Sequence, residues 1–230
     1  MAGEWPMLVD GVTKDYLWGG RRLMDEYGKT ADHLPLAESW VCSTHPDGRS
    51  TVKSGRFAGR DLLEVLQEHT EFFGTHPREH EGLPILVKLI DASSDLSVQV
   101  HPDDSYAREH ENGQNGKTEL WYVLHAAKGA KLIYGFRRDV TKEEVRQAAK
   151  DGTLLPLLNQ VSVKKGDVFL IQAGQVHAIG EGIVVAEVQQ SSNLTYRLYD
   201  YDREDKDGNK RPLHIEKGLD VANLDRKSVV

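Results

Sequence analysis

Hydrophobic positions along this chain fall mostly into short runs of strand length that are separated by turn residues. Residues 96–101 alternate apolar and polar side chains, which places Gln99 and His101 on one face of a strand and the valines on the other. The nearly continuous apolar run 83–90 is typical of a strand covered on both faces. Further strands are predicted for residues 38–42, 119–124, 131–134, 161–163, 167–171, 183–188 and 195–199. The pattern predicts a mainly β protein, built as a barrel or a sandwich.

Helical patterns are fewer. Residues 61–69 place leucine and valine on one broad face, and Thr141 begins a capping-box pattern for a helix that extends to about residue 150. Shorter helices are predicted for residues 103–111 and 213–221. Because no internal repeat, low-complexity tract or convincing linker interrupts these patterns, we expect a single domain over residues 1–230.

Composition and charge narrow the possible partners. The 230 residues carry a formal net charge of −7 without a long basic stripe, which argues against nucleic-acid binding. No segment approaches the roughly 18 consecutive apolar residues that a membrane helix needs, so no membrane partner is expected. Cys42 is the only cysteine, which excludes an internal disulfide and fits a reducing compartment. We expect a cytoplasmic location.

Four residues have the types and positions of metal ligands. Gln99 and His101 share a strand face, Glu119 begins a later strand, and His177 follows a tight turn at Gly174. Two imidazoles and a carboxylate suit Zn²⁺, Mn²⁺, Fe²⁺ or Ni²⁺, and without cysteine they are typical of catalytic rather than structural sites. Gln99 could add a neutral oxygen. A lone histidine on a strand is more commonly a surface or core residue, so the hypothesis depends on the combined pattern.

The pattern carries a family resemblance. Residues 99–119 and 166–177 resemble the two cupin motifs, with Gln99 in place of the usual first histidine and Ala173 in place of the usual proline. Together with residues 101–103, 116–123 and 189–203, they resemble type I mannose-6-phosphate isomerase, in its short bacterial branch. The likeness extends from residues 18–20 and 37–40 through to 211–214.

The resemblance implies a cupin-type double-stranded β-helix, a jelly-roll barrel with a few inserted helices. It also implies a single catalytic domain, from which the further C-terminal β domain of longer relatives is absent. The implied reaction interconverts mannose 6-phosphate and fructose 6-phosphate through a cis-enediol. The implied cofactor is one Zn²⁺ ion on Gln99, His101, Glu119 and His177, and the family's active-site arginine matches Arg197. A phosphorylated hexose is the expected partner of a monomer or homodimer.

Such a reaction needs a base, a group that stabilises the developing oxyanion, and an anchor for the phosphate. Glu187 is the candidate base, with metal-bound water or hydroxide as the alternative, and Arg197 is the candidate stabilising cation. Lys88 interrupts an apolar run, so its ammonium needs an anionic ligand or a carboxylate partner. Lys88 and Lys117 are candidates for phosphate or sugar oxygens, Lys117 also for catalysis, and Ser39 is a weaker candidate for phosphate.

Each of these residues could also lie outside any functional site, because arginine, lysine and glutamate on strands are usually solvated or paired. Two other functions also remain open. One is a different metal-dependent cupin enzyme, such as an iron-dependent oxygenase, and the other is a non-catalytic module that binds a sugar phosphate.

Overall fold

Two antiparallel sheets dominate the computed structural model, which describes residues 6–73, 82–205 and 207–226. The strands are Val9–Asp10 (β1), Val12–Lys14 (β2), Glu38–Cys42 (β3), Thr51–Val52 (β4), Ile85–Ala92 (β5), Val98–Val100 (β6), Glu119–Ala126 (β7), Lys131–Phe136 (β8), Leu158–Ser162 (β9), Val168–Ile171 (β10), His177–Ala178 (β11), Ile183–Gln190 (β12) and Tyr196–Tyr199 (β13). The α-helices are Arg22–Asp25 (α1), Leu62–Glu68 (α2), Asp104–His110 (α3), Lys142–Lys150 (α4) and Ile215–Val221 (α5).

The six-stranded sheet has the order β10-β7-β12-β5-β3-β2, and the five-stranded sheet has the order β13-β6-β11-β8-β9. A separate pair is formed by β1 and β4. The predicted mainly β fold is therefore confirmed. The described strands form separate sheets rather than one closed barrel, which is the two-sheet layout of a jelly roll.

Apolar side chains from both sheets form the central core. Trp121 and Val185 of the six-stranded sheet belong to the same buried cluster as Leu132 of the five-stranded sheet. A second cluster joins Val100 to Leu219, because α4 and α5 cover the other face of the five-stranded sheet. The sheets thus enclose an interior in which any polar side chain must find a partner.

Local sequence explains several element boundaries. The Thr141 hydroxyl accepts a hydrogen bond from the amide of Glu144 at 3.1 Å, which confirms the predicted cap of α4. Gly174 has φ +83°, and a Cβ there would lie 2.8 Å from the carbonyl oxygen of Val221. This turn requires glycine, and its amide donates to the carbonyl of His101 at 2.8 Å. The turn thereby fixes the start of β11 against the end of β6.

No α-helix in the described part of the chain has the length and apolar character that a bilayer crossing requires. The single-domain organisation over residues 1–230 stays a prediction.

Candidate active site

Three side chains from separate elements converge between the two sheets. His101 follows β6, Glu119 begins β7 and His177 begins β11, and each is at most 1% exposed. The Nε2 atom of His101 lies 3.2 Å from Oε1 of Glu119, and Nε2 of His177 lies 3.6 Å from Oε2. One potential ligand atom from each residue falls within 4.8 Å of the others. The structure therefore brings together the two imidazoles and the carboxylate that the sequence singled out.

Backbone carbonyls orient both imidazole rings. Nδ1 of His101 lies 2.7 Å from the carbonyl oxygen of Leu194, and Nδ1 of His177 lies 2.8 Å from that of Gln175. Because a carbonyl only accepts, each Nδ1 carries the proton and each Nε2 presents a lone pair to the cluster. Burial lowers the pKa of both histidines, that of His101 to about 3. Both rings are thus neutral near pH 7, which is the form that binds metals.

Glu119 supplies the charge of the cluster. Neither of its carboxylate oxygens accepts a well-aligned hydrogen bond from the described residues, and both are buried. Burial favours the neutral carboxyl, but the nearby Lys117 ammonium holds the pKa of Glu119 well below its usual range. A buried ionised carboxylate beside two imidazole lone pairs is a donor set that suits a divalent transition metal such as Zn²⁺. The residues present therefore fit the metal that the sequence implies.

Gln99 and Lys117 border this donor set. Gln99 lies opposite His177 in the β6–β11 register, with its amide Nε2 3.4 Å from Nε2 of His177. Rotation of the amide would turn its oxygen toward the cluster, and the Ser97 hydroxyl, 3.2 Å from Oε1, can pair with either amide atom. The Lys117 ammonium lies 2.5 Å from Oε1 of Glu119 and 3.5 Å from Nε2 of His101.

A cleft of about 190 Å³ opens beside the cluster. Lys88 lines it and is 4% exposed, at 3.5 Å from a Glu38 carboxylate oxygen and 3.6 Å from one of Glu187. Its ammonium also lies 4.8 Å from the centre of the Trp40 ring. Although burial opposes it, Glu38 and Glu187 raise the pKa of Lys88. Of the two partners that the sequence allowed for an inward Lys88, the structure supplies carboxylates.

Glu187 faces the same cleft from β12. It lies opposite Lys88 on one neighbouring strand and Trp121 on the other. The indole of Trp121 donates to Oε2 at 2.8 Å, whereas Oε1 is buried without a hydrogen-bond donor in the described chain. Burial, with a contribution from Glu119, raises the pKa of Glu187 to about 7. A carboxylate held by one hydrogen bond and titrating near neutrality has the properties of a general base.

Arg197 reaches the cleft from the five-stranded sheet. Its position on β13 is opposite Gln99, and its buried Nε has no hydrogen-bond partner among the described residues. The expected site residues Arg197, Glu187, Lys88 and Lys117 therefore all line one cleft. Ser39 does not line it. That serine is 2% exposed on β3, where strand alternation turns it away from the face that carries Glu38.

Two charged residues of the cleft were not found from the sequence. Glu38 carries the same signal as Lys88, a charged residue within an apolar strand, and could have been found that way. Arg211 lines the cleft from a highly charged loop that gives no local signal. Its role depends on contacts that only the folded chain creates.

The sheets and this ligand set define a cupin-type protein with a candidate metal centre. Comparison with known proteins makes the assignment more specific. A family described as "Phosphomannose isomerase type I, catalytic domain" matches residues 7–115. The probable mannose-6-phosphate isomerase GmuF of Bacillus subtilis is 45% identical over 95% of this chain and 69% of its own length. The chain therefore belongs to the type I phosphomannose isomerase family.

Solved structures agree with this assignment. The mannose 6-phosphate isomerase from Bacillus subtilis superposes with a TM-score of 0.92 and 38% identity, over 99% of this chain and 71% of that one. A zinc-bound mannose 6-phosphate isomerase shares the fold at 17% identity, with a TM-score of 0.71 over 96% of this chain and 75% of its own. The cupin-type fold predicted from the sequence is thus confirmed.

Proposed function

We propose that this chain interconverts mannose 6-phosphate and fructose 6-phosphate, with one Zn²⁺ ion held by His101, Glu119, His177 and the oxygen of Gln99. One observation carries the proposal. Two neutral imidazoles and a buried carboxylate converge on one point beside a cleft, in a family whose relatives bear that enzyme name. Zn²⁺, when bound, would supply Lewis-acid polarisation of the sugar's carbonyl and hydroxyl oxygens.

Glu187 is the proposed base. The reaction requires a proton to leave one carbon of the sugar and return to its neighbour, and a single carboxylate can perform both transfers. The Trp121 indole holds one oxygen of Glu187, so the other is left to receive the proton. Lys88, already matched by two carboxylates, is better suited to orient Glu187 than to bind phosphate.

Arg197 and Lys117 are the proposed cations for the reacting part of the sugar. Arg197 lies opposite Gln99 and has no described hydrogen-bond partner for its buried Nε, so its guanidinium is available to an enediolate oxygen. A fixed charge aimed at a developing anion is often the largest catalytic contribution. Lys117 lines the same cleft beside Glu119, where its ammonium can donate to a sugar hydroxyl.

A coupled assay of fructose 6-phosphate formation, together with zinc analysis, tests the proposal. We expect chelation or His177→Ala to remove zinc and to lower kcat/KM by about a thousandfold, since both steps remove transition-state stabilisation. His110→Ala is the matched control, because His110 is an exposed histidine on α3. It should leave zinc content and turnover unchanged.

Three outcomes would contradict the proposal. Full turnover by zinc-free His177→Ala would show that the reaction does not require the metal. An unsubstituted chain that binds mannose 6-phosphate without converting it would favour a sugar-phosphate-binding module. Tightly held iron with oxygen consumption would favour a cupin oxygenase.

We also propose a cytoplasmic location, and a monomer or homodimer as the assembly. Cys42 is a free cysteine, and burial raises the pKa of its thiol. The partly buried thiol therefore stays protonated near pH 7, which is compatible with a reducing compartment. Cell fractionation and light scattering would test these two points.

A further inference from the structure

The four basic side chains that line the cleft differ in how their charge is balanced. Lys88 lies between Glu38 and Glu187, and Lys117 lies against Glu119. Each lysine therefore has a carboxylate partner within the cleft wall. The other two basic residues are arginines, and their surroundings are not balanced in this way.

Arg211 is held firmly by one carboxylate. Its Nε donates to Oδ2 of Asp200 at 2.8 Å and its Nη2 donates to Oδ1 at 2.6 Å. Asp200 is 6% exposed and also accepts a 2.6 Å hydrogen bond from Nη2 of Arg203. One carboxylate thus serves two guanidinium groups, and the local charge stays positive. Nη1 of Arg211 makes no hydrogen bond to any described residue, although the side chain lines the cleft.

Arg197 lies close to this pair. It is half-buried and lies opposite Gln99, which borders the metal ligands. Burial lowers the pKa of its guanidinium, and the Arg211 charge lowers it further. Two neighbouring guanidiniums, of which only that of Arg211 is paired with a carboxylate, are costly at a half-buried site unless an anion lies between them.

We propose that Arg211 anchors the phosphate group of the substrate and that Asp200 is the positioning residue that holds its guanidinium. A guanidinium with one edge fixed by a carboxylate presents its remaining donors in a rigid plane, which matches the oxygens of a phosphate. Arg197, next to Gln99, then lies on the side of this anchor that faces the metal ligands. The identity of the ligand as a sugar phosphate rests on the proposed function; the anion subsite does not.

Binding of inorganic phosphate to the metal-loaded chain, measured by calorimetry, tests the subsite without turnover. We expect Arg211→Gln to weaken phosphate binding by roughly tenfold or more, because a charge-assisted contact is lost. Lys210→Gln is the matched control: it removes the same charge from the adjacent position, where Lys210 pairs with Asp202 at the surface. It should change the affinity by less than about twofold.

Turnover of mannose 6-phosphate gives a second readout. Arg211→Gln should raise KM by roughly tenfold and change kcat little, because a phosphate contact binds substrate and transition state alike. Any turnover of unphosphorylated mannose, which has no phosphate to contact, should not change. Arg211→Lys keeps the charge but loses the double contact with Asp200, and should weaken phosphate binding roughly threefold.

The outcomes separate this inference from the proposed function. An unsubstituted chain that does not bind phosphate overturns the subsite, and so does a folded Arg211→Gln variant with unchanged affinity. If Arg211→Gln fails to fold, unchanged affinity and KM in Arg211→Lys overturn it instead. A chain without isomerase activity whose phosphate binding still depends on Arg211 would retain the anion subsite and reject the isomerase.

Discussion

The two walls of the cleft differ in charge. The six-stranded side contributes three buried carboxylates, Glu38, Glu119 and Glu187, against the ammonium groups of Lys88 and Lys117. The five-stranded side contributes neutral imidazoles and the guanidinium of Arg197, whose neighbour Arg211 shares Asp200 with Arg203. The first wall therefore has an excess of negative charge and the second an excess of positive charge. A metal cation and an anionic substrate would each compensate one of these walls, which explains how both imbalances can persist in a folded protein.

The largest expected effect comes from Glu119→Gln. It removes the only carboxylate among the three metal-ligand candidates and keeps the size of the side chain. We expect loss of zinc and a decrease in kcat/KM of about a thousandfold or more. Metal analysis and the coupled assay measure both effects. Glu109→Gln, which changes an exposed carboxylate on α3, is the control. Full zinc content in Glu119→Gln would show that the negative charge of this wall is not needed to bind the cation.

Arg197→Gln tests the positive wall. Since Arg197 is proposed to contact the developing oxyanion, we expect kcat to fall by about a hundredfold or more, with zinc content unchanged. Steady-state kinetics separate this result from a binding defect. Arg138→Gln, an exposed arginine beside α4, should have no effect. A variant in which only KM rises would indicate that Arg197 contacts the phosphate rather than the reacting oxygens.

The candidate metal ligands His101 and His177 could be singled out from the sequence because each lies in a local pattern. His101 follows a strand of alternating apolar and polar residues. His177 follows a turn at which the structure shows that only glycine fits. The position of Lys88 within an apolar run predicted that its ammonium needs an anionic partner, and the two-residue spacing of Glu187 from Val185 suggested that Glu187 points inward. These predictions needed only local sequence.

Features that depend on distant partners were not predictable. The contact between Arg211 and Asp200 forms within a charged loop that has no periodic pattern. The short strands β1, β2 and β4 contain two or three residues, too few for alternation to be recognised. Ser39 was a weaker candidate for phosphate, but the structure places it outside the cleft because adjacent strand residues face opposite sides.

Removing the compensating charge from the negative wall should destabilise the fold. Lys88→Met leaves Glu38 and Glu187 without their shared cation in a buried setting. We expect a loss of about 3 kcal/mol in the free energy of unfolding at pH 8, measured by urea denaturation. The double variant Lys88→Met/Glu187→Gln should recover part of that loss, because it also removes one of the unpaired carboxylates. Equal stability of Lys88→Met and the unsubstituted chain would show that the lysine does not balance this wall.

The smallest expected effect is a shift in pH dependence. As a base, Glu187 must be ionised, so kcat/KM should rise with pH up to the pKa of this residue and then level off. That pKa is about 7 before a cation binds nearby, and a bound metal ion would lower it.

The Glu38 carboxylate contributes to the raised pKa and shares Lys88 with Glu187. Glu38→Gln should therefore move the acid limb of the kcat/KM profile to lower pH, by less than about one unit. Glu64→Gln on the exposed face of α2 should leave the profile in place. A shift to higher pH would mean that Glu38 stabilises the ionised form of Glu187. Glu38 would then lower the pKa of Glu187 instead of raising it.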